Sequence, residues 1–156
     1  MALEIERKFL IKGEYKHLAI RSERIIQAYL SLDPERTVRI RIKGQRGFIT
    51  IKGIANNTGV SRYEWEKEID KKEAEELIEL CLPGLIDKTR YIITAHDDLY
   101  FEADEFHGLN QGLLMAEIEL PTEKTPFIKP DWLGEEVTGV DKYYNSMLMI
   151  KPFNEW

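Results

Sequence analysis

The chain is poor in cysteine: Cys81 stands alone, which excludes an internal disulfide and fits a reducing compartment. It sits in the apolar helical stretch ending "ELCLPG" and reads as a buried small hydrophobe. No run approaches the roughly 20 apolar residues of a membrane span. The opening "MALEIERKFL" carries charges where a secretory leader needs an apolar run, so a cytoplasmic protein is expected. A basic excess is also missing. With 22 Lys and Arg against 28 Asp and Glu, the net charge of -6 argues against a nucleic-acid or membrane-surface binder, though not against a local basic pocket. No linker, repeat or low-complexity tract interrupts the 156 residues, which read as one domain, 1–156, large enough for a core without staples. The three histidines, His17, His96 and His107, lack the mutual spacing of metal ligands.

What is present is alternation. Period-2 stretches run over 2–12, 24–32, 37–44, 47–54, 61–69, 86–96, 99–106 and 113–120, most separated by turn residues. Two segments read as helix. One follows the capping box Asp70/Glu73 and stops at Pro83-Gly84; the other runs from about Asp141 through "KYYNSMLMI" to Pro152. A third, short helix is expected before "GEEVTG" or over 13–20. The fold class is α+β with a large antiparallel sheet.

Sorting each strand by parity exposes its chemistry, because alternate side chains share a face. Glu4, Glu6 and Lys8 share one face of the first strand. Arg39, Arg41 and Lys43 share another, as do Lys88 and Arg90, and Lys52 lies on the face opposite Ile49 and Ile51. Glu64, Glu66 and Glu68 form an acidic row, followed by Glu102/Asp104 and Glu117/Glu119. A plain wet face mixes signs, since like charges side by side are unfavourable. Eight strands can close into a barrel around a small ligand. With the charged faces inward, Arg and Lys would match phosphate oxygens and clustered carboxylates would take Mg²⁺ or Mn²⁺.

In order along the chain, "EIERK", "QAYL", "VRIRIKG", "TIKG", "YEWEKEI", "KTRY", "FEADEFHG", "GLLMAEIEL" and "GEEVTGVDKYYNSML" resemble the CYTH superfamily of triphosphate tunnel metalloenzymes. The resemblance implies a closed eight-stranded antiparallel β-barrel whose tunnel binds a triphosphate with one or two Mg²⁺ or Mn²⁺ ions. Carried over by position, the triphosphate binders would be Lys8, Arg39, Arg41, Lys52, Lys88 and Arg90, the first four also catalytic. The metal side would be Glu4, Glu6, Glu64, Glu66, Glu102, Asp104, Glu117 and Glu119. The expected activity is metal-dependent hydrolysis of inorganic tripolyphosphate or another triphosphate. The alternatives are an adenylate cyclase using ATP, a thiamine triphosphatase, or a non-catalytic polyphosphate-binding module. The expected partner is a small-molecule triphosphate, with neither nucleic acid nor membrane, and a homodimer is consistent with the family.

Overall fold

Alternating strands joined by short turns wind the chain into one antiparallel sheet that meets itself. The structure, a computed structural model, describes residues 3–156. In chain order the strands are β1 (Leu3–Ile11), β2 (Ala19–Ser31), β3 (Thr37–Lys43), β4 (Arg46–Ala55), β5 (Ser61–Ile69), β6 (Ile86–Thr94), β7 (Tyr100–Phe106), β8 (Leu114–Glu119) and β9 (Leu133–Glu136). Neighbours follow the order β5-β4-β3-β2-β6-β7-β8-β1, and β1 closes the ring against β5 through Leu3↔Tyr63, Glu4↔Arg62 and Ile5↔Ser61. The expected eight-stranded barrel is therefore present. The ninth strand is an addition that sequence did not anticipate. β9 pairs with the second half of β1 at Phe9↔Glu136 and Ile11↔Leu133. It is tied there by Arg7 Nε donating to Glu136 at 2.9 Å.

The helices are shorter than expected. Helix α1 (Lys71–Ile78) starts at the Asp70/Glu73 capping box as read from the sequence. The C-terminal helix shrinks to one turn, α2 (Asn145–Leu148), after a 3-10 turn at Asp141–Tyr143. Tyr144 is extended between them (φ -68, ψ 137) and breaks the helical path, which frees the Tyr143 carbonyl to accept from Lys8 Nζ. In place of a third helix there is a 3-10 turn at Lys16–Leu18, while "LGEE" forms β9. Cys81 is half-buried rather than buried. No helix among the described residues is long and apolar enough to cross a membrane.

Three apolar layers hold the barrel. On the outside, Phe9, Phe101, Ala103, Ala116 and Ile118 from β1, β7 and β8 pack beneath Tyr15, Trp132 and Leu133. The rings of Phe101 and Trp132 meet edge to face at 5.2 Å. Trp132 thus packs outside the barrel. Helix α1 covers β3 and β4, and Ala74, fully buried, approaches so closely that a Cβ on Gly47 would lie 2.7 Å from its own. The third layer is internal. Inward rows run Arg90, Lys88, Ile86 on β6, Glu102, Asp104, Phe106 on β7 and Glu119, Glu117, Met115 on β8. Each row changes from charged to apolar towards the same end. There Ile86, Phe106 and Met115 join Leu113 and Leu148 in one buried cluster. The C-terminal segment plugs this end, and the charged residues become the wall of a cup.

Leu148 is 1% exposed, so its replacement leaves a cavity at the plug. Leu148→Ala is expected to lower unfolding stability by about 2–5 kcal/mol, read from urea denaturation.

Candidate active site

Thirteen of the fourteen charged residues assigned to triphosphate or metal from the sequence line one cavity of about 260 Å³ inside the barrel. The exception is Asp104, which is buried against Lys88 and Arg90. Seven glutamates and eight lysines and arginines face this space, so the rows of like charge on single strands are nearly neutral as a set. The balance is local as well as global. Register places Lys8 opposite Glu117, Lys52 opposite Glu64 and Arg90 opposite Asp104.

On the acidic side the register does the reverse. Glu6 faces Glu119 across β1 and β8, and Glu102 faces Glu117 across β7 and β8. Directly opposed like charges destabilise a sheet. One carboxylate oxygen each from Glu4, Glu64 and Glu119 lies within 4.8 Å of the others. Protonation equilibria record the strain. Burial and the charges of Glu117 and Glu4 push Glu6 well up from the ordinary carboxylate range. Burial and the neighbouring Glu4 push Glu64 up to about 7. Burial and Glu4 likewise raise Glu119. Glu4 itself is held down: burial opposes its charge most strongly, but Lys52, with Nζ at 2.9 Å from Oε1, and hydrogen bonding with Glu64 together outweigh it. An all-oxygen, carboxylate-rich corner whose members resist ionising side by side is the donor chemistry that hard divalent cations satisfy. The residues present fit such an ion.

On the basic side, Asp104 is the organising group. It is 2% exposed and takes both the Nε and Nη2 hydrogen bonds of Arg90, at 2.8 and 2.9 Å. Lys88 Nζ lies 2.8 Å from Asp104 Oδ2, the oxygen that also accepts from Arg90 Nη2. Asp104 is therefore brought together with the phosphate-type cations and not with the Glu4, Glu64 and Glu119 oxygens. Burial opposes the charge of Arg90, yet Asp104 and Glu102 hold its pKa well above the ordinary value. Lys88 is pulled down to about 7, chiefly by burial, with Arg90 and Arg41 adding repulsion against Asp104. Burial and the nearby Arg39 and Arg90 lower Arg41 to about 9. Arg39 donates through Nη2 to Thr50 and Glu66, while its buried Nε has no partner among the described residues. Crowded cations with an unfilled donor ask for an anion.

This two-sided barrel was compared with known proteins. The CYTH domain model matches residues 2–145. The chain belongs to the CYTH domain family. It is 44% identical to an inorganic triphosphatase of Acetivibrio thermocellus, over 100% of this chain and 99% of that protein. It is 35% identical to an inorganic triphosphatase of Nitrosomonas europaea, over 94% and 97%. A crystal structure of the inorganic triphosphatase NE1496 superposes with a TM-score of 0.67 at 33% identity, covering 94% of this chain and 97% of that one.

The CYTH cavity also contains residues that the sequence reading left out of the site. Lys43, Thr37, Thr50 and Arg62 line it. Their signal was available: each shares parity with a residue already assigned, Arg62 with Glu64 and Glu66, Thr50 with Lys52. Tyr29, Tyr144, Asn145 and Ser146 line it too. The last three arrive from the C-terminal segment, which no strand pattern places inside the barrel. Glu68, grouped by parity with Glu64 and Glu66, pairs instead with Arg46 at the exposed rim. His107 exchanges a hydrogen bond with Thr89 outside the cavity.

The Glu64 shift has a signed consequence. Between the ordinary value of 4.5 and about 7, folded protein keeps a proton on Glu64 that unfolded chain has released. Its contribution therefore favours folding at low pH and is lost as pH rises through that window. Glu64→Gln lacks this loss. In chelator, the melting temperature of the variant relative to the parent is expected to rise from about pH 5 to about pH 8, read by differential scanning fluorimetry.

Proposed function

We propose that this CYTH protein is a divalent-metal-dependent triphosphatase acting on inorganic tripolyphosphate. The observation that carries the reading is the cavity itself: a carboxylate corner built from Glu4, Glu64 and Glu119 beside a buried wall of cations whose Arg39 Nε lacks a partner. The inorganic triphosphatases of similar sequence support it.

In this reading Arg39, Arg41, Lys52, Lys88 and Arg90 bind the phosphoryl oxygens and stabilise the charge that moves to the leaving group. Asp104 keeps Arg90 and Lys88 aimed into the cavity by anchoring their other side. Glu4, Glu6, Glu64 and Glu119, with Glu117 and Glu102 adjoining, would hold Mg²⁺ or Mn²⁺, and Glu66 steadies Arg39 and Thr50. When bound, such an ion neutralises phosphate charge and acidifies water. The water oxygen bonds to the terminal phosphorus as the bridging P–O bond breaks. Tripolyphosphate becomes pyrophosphate and orthophosphate, and the water proton passes to solvent or to a basic group of the wall. Lys8, opposite Glu117 in register and donating to the Tyr143 carbonyl, is placed to orient that water or a phosphoryl oxygen. An unpaired Cys81 suits a reducing, cytoplasmic setting, and a homodimer belongs to the same reading.

A second reading has one observation in its favour. A neighbouring pocket of about 450 Å³ shares Thr37, Arg62, Tyr144 and Ser146 with the cavity and is partly apolar through Leu32, Pro34, Ile54 and Met147. It offers room for an organic substituent, which ATP or thiamine triphosphate has and tripolyphosphate lacks.

Incubation with Mg²⁺ or Mn²⁺ and each triphosphate separates the readings. Orthophosphate release from tripolyphosphate is expected to exceed that from ATP or thiamine triphosphate, without cyclic AMP. EDTA is expected to abolish it. Lys52→Ala is expected to lower kcat by about 10²–10³, and Glu4→Gln to lose metal-dependent turnover. Cyclic AMP as the main product would replace the hydrolase with the cyclase.

A further inference from the structure

The C-terminal segment does more than plug the barrel. Asn145 Oδ1 accepts a hydrogen bond from Lys88 Nζ at 2.9 Å and from Gln27 Nε2 at 3.3 Å. Two residues earlier, the Tyr143 carbonyl accepts from Lys8 Nζ at 3.0 Å, and the Tyr144 ring lies 5.2 Å from the same ammonium. Behind these contacts Leu148 fills the apolar end of the barrel. The floor of the cavity thus meets Lys8 and Lys88 with neutral oxygen acceptors, backed by packed hydrocarbon, while Asp104 pairs with Lys88 from the strand wall.

That arrangement treats the end and the middle of a phosphate chain differently. A terminal phosphoryl group presents three non-bridging oxygens and more charge, and it can take over Lys8 and Lys88 from neutral carbonyl acceptors, because charge-assisted hydrogen bonds are the stronger ones. An internal phosphate continues through bridging oxygens on both sides. To reach the same lysines, its chain would have to pass through Asn145 and the Leu148 plug. We propose that Asn145 is a specificity-determining residue that reads the free end of a linear polyphosphate, so that substrates enter with an unesterified terminal phosphoryl group leading. This rests on the triphosphatase reading and adds the orientation and end-group requirement of its substrate.

The test compares tripolyphosphate carrying no methyl ester, one at a single end, or one at each end. Each is measured with the whole protein and Mg²⁺, by thermal shift and by competition against tripolyphosphate hydrolysis. The unesterified and singly esterified chains are expected to raise the melting temperature and compete. The doubly esterified chain is expected to compete at least about tenfold more weakly than the singly esterified one, the loss of one charge-assisted contact. Asn145→Asp, which puts a carboxylate on the floor, is expected to raise KM for tripolyphosphate about tenfold or more with a smaller change in kcat. Asn145→Ala is expected to narrow the gap between the singly and doubly esterified chains. Equal competition by those two chains on the unaltered protein overturns the end-reading role while tripolyphosphate turnover keeps the triphosphatase reading intact. No shift and no turnover with tripolyphosphate overturns both.

Discussion

Charge buried inside a β-barrel must be answered within the barrel, and the rest of this structure depends on that constraint. Lys88, Arg90 and Asp104 are all nearly inaccessible and form a single ion-paired unit. Removing one partner of such a unit costs about 3–5 kcal/mol, because a buried charge is left uncompensated. Such a unit therefore ties the register of β6 and β7 to the chemistry of the cavity. A one-residue slip would turn every side chain of a strand to the other face. The apolar exterior under Trp132 and α1 enforces the same register from outside.

The neutrality of the wall as a whole conceals an unequal distribution. The cationic side is satisfied largely by Asp104, Glu66 and Glu117, but it keeps one orphaned guanidinium nitrogen. The acidic side opposes glutamate to glutamate across two strand pairs and responds by holding protons. Each side is left short of its counter-charge, one of an anion and the other of a cation. A cation-bound polyphosphate supplies both at once. The fold is stable enough to hold this imbalance because its apolar layers lie on the outer surface and at the closed end, away from the charges.

Closure of one end follows from the same inward rows. The step from Lys88 to Ile86, from Asp104 to Phe106 and from Glu117 to Met115 changes the interior from ionic to hydrocarbon within one residue pair per strand. Leu148 completes the hydrocarbon layer, and the break at Tyr144 turns Asn145 towards the lysines rather than along a helix axis. Membership of the CYTH family accounts for the barrel and its charged lining; the shape of the cup and the neutral oxygens at its floor belong to the packing of residues 141–148.

Alternation by itself determined which side chains share a face, because the two-residue period is a local property of an extended backbone. Hence Arg39 and Arg41, Glu64 and Glu66, and Glu117 and Glu119 were legible as charged faces of single strands. The resemblance along the chain supplied the ring closure. Partner identity was not legible. Parity grouped Asp104 with the acidic residues, but register set it opposite Arg90 and beside Lys88, where it anchors cations. Nor did the local pattern of "DKYYNSMLMI" disclose that its helix would be cut to Asn145–Leu148. That outcome depends on Lys8, Lys88 and an apolar barrel end contributed by strands distant in sequence. A strand carries its own two faces wherever it goes, whereas a pairing, a plug or a floor exists only once separate strands have been brought into register around it.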